Sequence, residues 1–196
     1  EVTVTCRQGD QTHLLPAEAR MLAVGGLQGT GKSTLARAVA PGLGRCPGAL
    51  VLRSDEIRKR RFGVAPEEKL PPRAYDAAVS AAVHAEMFAM ARAALEGGQC
   101  VVVDAVFLDP AQRAAAEAAA RDSGVRFDGI WLEAPLAVLR ERLAARRGDA
   151  SDADEAVMLR AAQMDPGAIG WHRIASDEGA AAAARVAIGI APGSMC

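Results

Sequence analysis

Lysine is almost missing from this chain. Lys32, Lys59 and Lys69 stand against 20 arginines in 196 residues, so each lysine asks for a reason. Aromatic residues make up 4% and the formal net charge is -1. Both argue against a long groove for nucleic-acid strands, which binds through stacked rings and a basic face. No apolar run approaches the roughly 18 residues of a membrane span. The start, Glu1 to Val4, lacks the charged head and apolar core of a secretion signal, and it lacks an initiator Met, as an excised piece of a longer protein would. Cys6, Cys46, Cys100 and Cys196 lie too far apart for a C-x-x-C pair or a metal knuckle. Free thiols in a reducing cytoplasm are the expectation.

Leu, Ile, Val and Phe together number 42, and alanine alone supplies 44 residues. With little net charge to keep the chain expanded, this composition suits a compact, Ala-packed domain. Short β runs alternate with longer helical ones, the pattern of a parallel sheet covered by helices. Strands are expected at 21–25, 49–53, 100–103, 130–132 and 171–175. Helices are expected at 32–40, 55–61, 73–96, 110–122, 135–147, 155–163 and 179–188. Residues 1–20 read as a linker or the tail of a preceding domain, 21–190 as the domain itself and 191–196 as a tail.

The most specific feature is Gly26-Leu27-Gln28-Gly29-Thr30-Gly31-Lys32-Ser33, a full match to G-x-x-x-x-G-K-[ST]. Glycines let successive backbone N–H groups point at phosphate oxygens, and the helix that follows adds its positive end. Lys32 would reach the β- and γ-phosphates, and Ser33 would hold Mg²⁺. The loop from Gly26 through Thr34 is therefore expected to bind ATP or GTP. One of the three lysines falls on the required spot.

Two acids follow at strand ends, where ligands gather in open α/β sheets. Asp55 closes the second strand and could take a proton from an attacking hydroxyl or help hold Mg²⁺, with N-capping as the bland alternative. Arg58 shares its helical face and could bind an anionic part of a substrate, or be a surface charge. Asp104 ends the apolar run 101–103 in the manner of a Walker B acid. Arg142 and Arg146 sit one turn apart on a helix with a Leu136, Leu139, Leu143 stripe. They precede the polar stretch 148–152, the composition of a mobile lid that would neutralise the transferring phosphoryl group.

The stretches GGLQGTGKSTLARAVA (25–40), VLRSDEIRKRRFGV (51–64), VVVDAVFLDPAQR (101–113) and LEAPLAVLRERLAARRGDASDAD (132–154) resemble one family of P-loop kinase domains. It is the predicted kinase domain, with AAA-type ATP binding, often found behind an aminoglycoside-phosphotransferase-like domain. The chain is similar more broadly to zeta toxins, chloramphenicol phosphotransferase and the kinase half of polynucleotide kinases. The resemblance implies a five-stranded parallel sheet of order 2-3-1-4-5, ATP and Mg²⁺ as cofactors, and a covalently fused N-terminal domain. It implies Asp55 as general base, Arg58 as acceptor-binding arginine, Ser33, Asp55 and Asp104 around the metal, and Arg142 and Arg146 as lid arginines. At Ile174-Ala175-Ser176-Asp177 the chain departs from the pattern, which has Asp where Ala175 stands. The expected activity is transfer of the γ-phosphoryl group of ATP to a small-molecule hydroxyl. A polynucleotide 5′-hydroxyl kinase and a non-catalytic ATP-sensing module are the alternatives.

Overall fold

The computed structural model describes residues 18–145, 152 and 155–190. Five parallel strands form one sheet in the order β2-β3-β1-β4-β5. In chain order the elements are β1 (Arg20–Gly26), α1 (Lys32–Val39), β2 (Leu50–Arg53), α2 (Ser54–Arg61), α3 (Ala77–Glu96), β3 (Val101–Asp104), α4 (Pro110–Asp122), β4 (Arg126–Glu133), α5 (Leu136–Ala145), α6 (Glu155–Ala162), β5 (His172–Ala175) and α7 (Ala180–Ala187). The expected sheet order and the alternation of strands and helices are both found.

Strand alternation splits the core into two layers. Met21, Ala23, Val101 and Val103 face α3 and α4, together with Phe107, Trp131 and Trp171. Leu22, Val24, Val102 and Ile130 face α1 and α7, with Leu35, Val39 and Ile188. In α4 the inward positions Ala116, Ala119 and Ala120 are buried. Alanine there lets the helix lie close to the sheet without side-chain entropy loss.

The structure corrects three local readings. The helix expected from Arg73 is broken: Pro72–Tyr75 is a 3₁₀ turn, and Asp76, at φ -59° and ψ 152°, separates it from α3. Pro71 and Pro72 favour that start, since neither supplies a backbone N–H. β4 is longer than 130–132 because the unfavourable Asp128 and Gly129 have tertiary partners. Arg20 donates to Asp128 at 2.7 Å, and a Cβ on Gly129 would lie 2.3 Å from the Trp171 ring. Finally, the α5 stripe is only partly inward, with Leu139 fully buried but Leu136 46% exposed.

Candidate nucleotide site

The phosphate loop joins β1 to α1. Gly26 has φ 135°, and a Cβ there would come within 2.5 Å of the Leu132 carbonyl. Only glycine fits both constraints. At Gly29 (φ 85°) an added Cβ would press on the Leu139 carbonyl at 3.1 Å, so α5 lies directly against the loop. Inside it, the Leu27 carbonyl accepts from the Thr30 amide (3.3 Å), the Thr30 hydroxyl (2.7 Å) and Lys32 Nζ (2.9 Å). Lys32 is thus folded over the loop. Gly31 and Thr34 are exposed, and Leu35 N donates to Gly31 O at 2.9 Å to open α1. Gln28 has a buried Oε1 with no hydrogen-bond partner among the described residues.

Ser33, from the loop motif, and Asp104, from the end of the third strand, meet in the structure. The Ser33 hydroxyl donates to Asp104 Oδ2 at 2.5 Å. Asp104 pairs in register with Val24 of β1 and Arg53 of β2. Parallel partners point the same way, and Arg53 Nε donates to Asp104 Oδ2 at 3.3 Å. Arg53 Nη1 also donates to Glu56 at 2.8 Å. Sequence reading missed Arg53. Its signal was an arginine at the end of an apolar strand, because an arginine that is 4% exposed needs a carboxylate. A hydroxyl and a carboxylate in contact are hard oxygen donors suited to Mg²⁺, which keeps several waters and takes phosphate oxygens besides one or two protein ligands. Among the described residues no group of three or more His, Cys, Asp or Glu forms a self-sufficient metal cage.

Asp55 sits half-buried in the first turn of α2, where the helix dipole favours a carboxylate. The cap position belongs to Arg53 rather than Asp55. Arg58, 6% exposed, donates through Nη1 to Ala74 O (2.5 Å) and Ser80 Oγ (3.3 Å) and stacks over the Tyr75 ring at 4.8 Å. Burial pushes its pKa down, while Asp55 opposes the shift. In this conformation Arg58 holds the 72–80 segment against α2.

Arg142 reaches from α5 to the far side of the loop. Its Nη1 donates to Ser176 Oγ (2.6 Å) and, at 3.5 Å, to Gly29 O, and Nη2 donates to Ser176 O at 2.8 Å. The Ser176 hydroxyl in turn donates to Thr30 O at 2.6 Å. Ser176 thereby ties β5, α5 and the phosphate loop together, a role the sequence did not disclose. Beside this knot lies a cavity of about 440 Å³ lined by Pro135, Val138, Arg142, Ala175 and Asp177 among others. Arg146 and most of the expected lid lie outside the described residues. Asp152 is described. It accepts from Lys59 Nζ (2.7 Å), Leu70 N (2.8 Å) and the Tyr75 hydroxyl (2.7 Å). Lys59 also donates to Glu68 O.

Comparison with known proteins gives the family and the fold. The AAA domain family model matches residues 21–165. The uncharacterized protein Rv2004c of Mycobacterium tuberculosis is 37% identical over 170 residues, which is 83% of this chain and 32% of that protein. A Mycobacterium bovis protein, Mb2027c, matches to the same extent. The chain thus spans about a third of the length of these relatives. Among solved structures, a sugar kinase from Janibacter sp. HTCC2649 aligns with TM-score 0.64 at 18% identity, covering 91% of this chain and 99% of that one. The APS kinase CysC of M. tuberculosis, solved with AMPPNP and APS, aligns with TM-score 0.61 at 20% identity, covering 89% and 98%.

Proposed function

This chain belongs to the AAA domain family and has the fold of P-loop kinases, and from that premise we propose that it is a phosphotransferase moving the γ-phosphoryl group of ATP to the hydroxyl of a small molecule. One observation carries the reading. Ser33, Asp104 and Arg53 converge at 2.5 and 3.3 Å where β1, β2 and β3 end, and Asp55 opens the helix that follows β2. A pure nucleotide-binding module needs the loop but no acid at that position.

The loop amides and Lys32 would hold the triphosphate, Lys32 leaving the Leu27 carbonyl for a phosphate oxygen. Ser33 and Asp104 would hold Mg²⁺, whose chemistry when bound is to neutralise phosphate charge. Arg142, already against Gly29, would contribute charge from the α5 side. Asp55 would orient the acceptor hydroxyl and take its proton. The acceptor oxygen forms a bond to the γ-phosphorus, and the bond from that phosphorus to the bridging oxygen breaks with its electron pair leaving on ADP. Positioning and charge neutralisation would supply most of the rate.

Asp55→Asn tests the proposal. It keeps shape but cannot accept the proton, so ATP affinity should persist while transfer falls by roughly 10²–10⁴. ATP binding is read by calorimetry and transfer by ADP release across a panel of hydroxyl compounds. Transfer at the parent rate would remove Asp55 as base. A parent protein that binds ATP without any ADP release would favour the sensing module.

A further inference from the structure

We propose that the acceptor is an alcohol with a compact apolar group, seated in a second cavity beside the phosphate loop. This rests on the phosphotransferase reading above and names its substrate class. The cavity, about 320 Å³, is walled by Leu27, Leu108, Trp131, Leu139, Ala161 and Met164 among others. That volume lies at the lower end of the range for small-molecule sites. Its polar lining is sparse. Thr30 spends its hydroxyl on Leu27 O, and Glu133 carries the one charge.

Each wall has a fixed origin in the fold. Leu27 belongs to the loop itself. Leu108 follows Asp104 after Phe107, a buried non-glycine residue at φ 52°. Such a backbone outlier persists only when its surroundings over-determine it. Here the Phe107 ring packs edge-on against Trp171, with centroids 5.2 Å apart. Arg113 anchors the same turn by donating to Phe107 O (2.8 Å) and Leu108 O (2.9 Å). It also donates to Pro166 O (2.5 Å), beyond α6, so the opposite wall is held by the same guanidinium. The cavity is therefore built rather than left over from loose packing.

Its position fits an acceptor. It opens where β1 and β4 end, whereas Asp55 stands at the end of β2, two strands from β1. At about 4.8 Å per strand, the separation is roughly 10–12 Å. A molecule whose hydroxyl lies at Asp55 would place a group at that distance in the cavity. A polyol there would leave its hydroxyls unpaired against leucine and tryptophan, at a cost for each buried polar group.

The test measures binding by saturation-transfer NMR, using phenylhexanol as apolar probe and sorbitol as polar control. Both are titrated with and without a non-hydrolysable ATP analogue. Phenylhexanol should bind at least tenfold tighter than sorbitol. Ala161→Phe, which fills the cavity, and Met164→Glu, at the 58% exposed rim, should each weaken it at least fivefold while analogue affinity stays within twofold. Met164→Glu carries the test if Ala161→Phe does not fold. Equal sorbitol binding, or unchanged phenylhexanol affinity in the folded variants, would overturn the proposal. So would loss of analogue binding in Ala161→Phe, because the cavity would then seat the nucleotide base. Failure of the parent protein to bind the analogue would instead sink the phosphotransferase reading, leaving the cavity judged by the probe alone.

Discussion

Asp152→Ala should destabilise the domain by about 3–4 kcal/mol. Lys59 is among the most deeply buried side chains, at 2% exposure, and the Asp152 side chain is 10% exposed. Removing one partner of a buried ion pair typically costs about 3–5 kcal/mol, because the other charge stays desolvated. Lys59 keeps the Glu68 carbonyl, which places the estimate below the top of that range. The Tyr75 hydroxyl regains water, since Tyr75 is 42% exposed. Asp152→Asn retains an acceptor but loses the charge, so about half the effect is expected. Replacing both partners, Lys59→Met with Asp152→Leu, should restore much of the loss, because no charge is then stranded. Equilibrium urea unfolding at pH 7 reads the parent, these variants and the two singles Lys59→Met and Asp152→Leu. A loss under about 1 kcal/mol in Asp152→Ala, or a double variant as unstable as the sum of its singles, would mean that no charge is left stranded in Asp152→Ala. There is also a pH signature. Burial pushes the Asp152 carboxyl up, but hydrogen bonds from Lys59, Leu70 N and Tyr75 outweigh it and hold the pKa below the ordinary value. A carboxyl lowered in the folded state contributes stability that is present above about pH 4 and lost as pH falls through its folded pKa. The parent protein's acid limb should therefore be steeper than that of Asp152→Ala.

Lys32→Ala should lower ATP affinity at least tenfold in calorimetry, and the Leu27 carbonyl it vacates keeps its bonds from Thr30. Arg142→Ala should raise the ATP KM roughly tenfold, with Ser176→Ala acting in the same direction because both hold the far side of the loop; parent-like kinetics in both would count against the clamp. Gly129→Ala should cost about 3 kcal/mol or prevent folding, because the new Cβ would lie 2.3 Å from the indole. A Trp171→Ala background should relieve most of that loss in thermal unfolding.

Much of this molecule was written along the chain. The unbroken apolar run Met21-Leu22-Ala23-Val24 reads as a strand buried on both faces, as the two core layers bear out, and strand–helix alternation makes that sheet parallel. The phosphate loop is legible because its chemistry needs glycine, lysine and serine at fixed spacing within one continuous turn. Asp104 was legible as the acid that ends a strand, whereas Asp55, read as closing β2, lies in the first turn of α2 just beyond it; among the described residues no helix is long and apolar enough to cross a membrane.

What the sequence could not disclose depends on partners distant in the chain. Lys59 stood out as one of three lysines, yet its need for Asp152, 93 residues on, is a matter of burial, and burial is settled only when the segments meet. Arg53 looked like a strand end until β2 lay beside β3 and put it in register with Asp104. Ser176 looked like an ordinary polar residue after a strand, but folding sets it between Thr30 and Arg142. The cavity is further still from the linear code, since leucines, a tryptophan and an alanine signal only a core. Whether such residues fill space or surround it is decided by how closely the elements carrying them approach, and here Arg113, bound to both Leu108 and Pro166, keeps two of those walls in place.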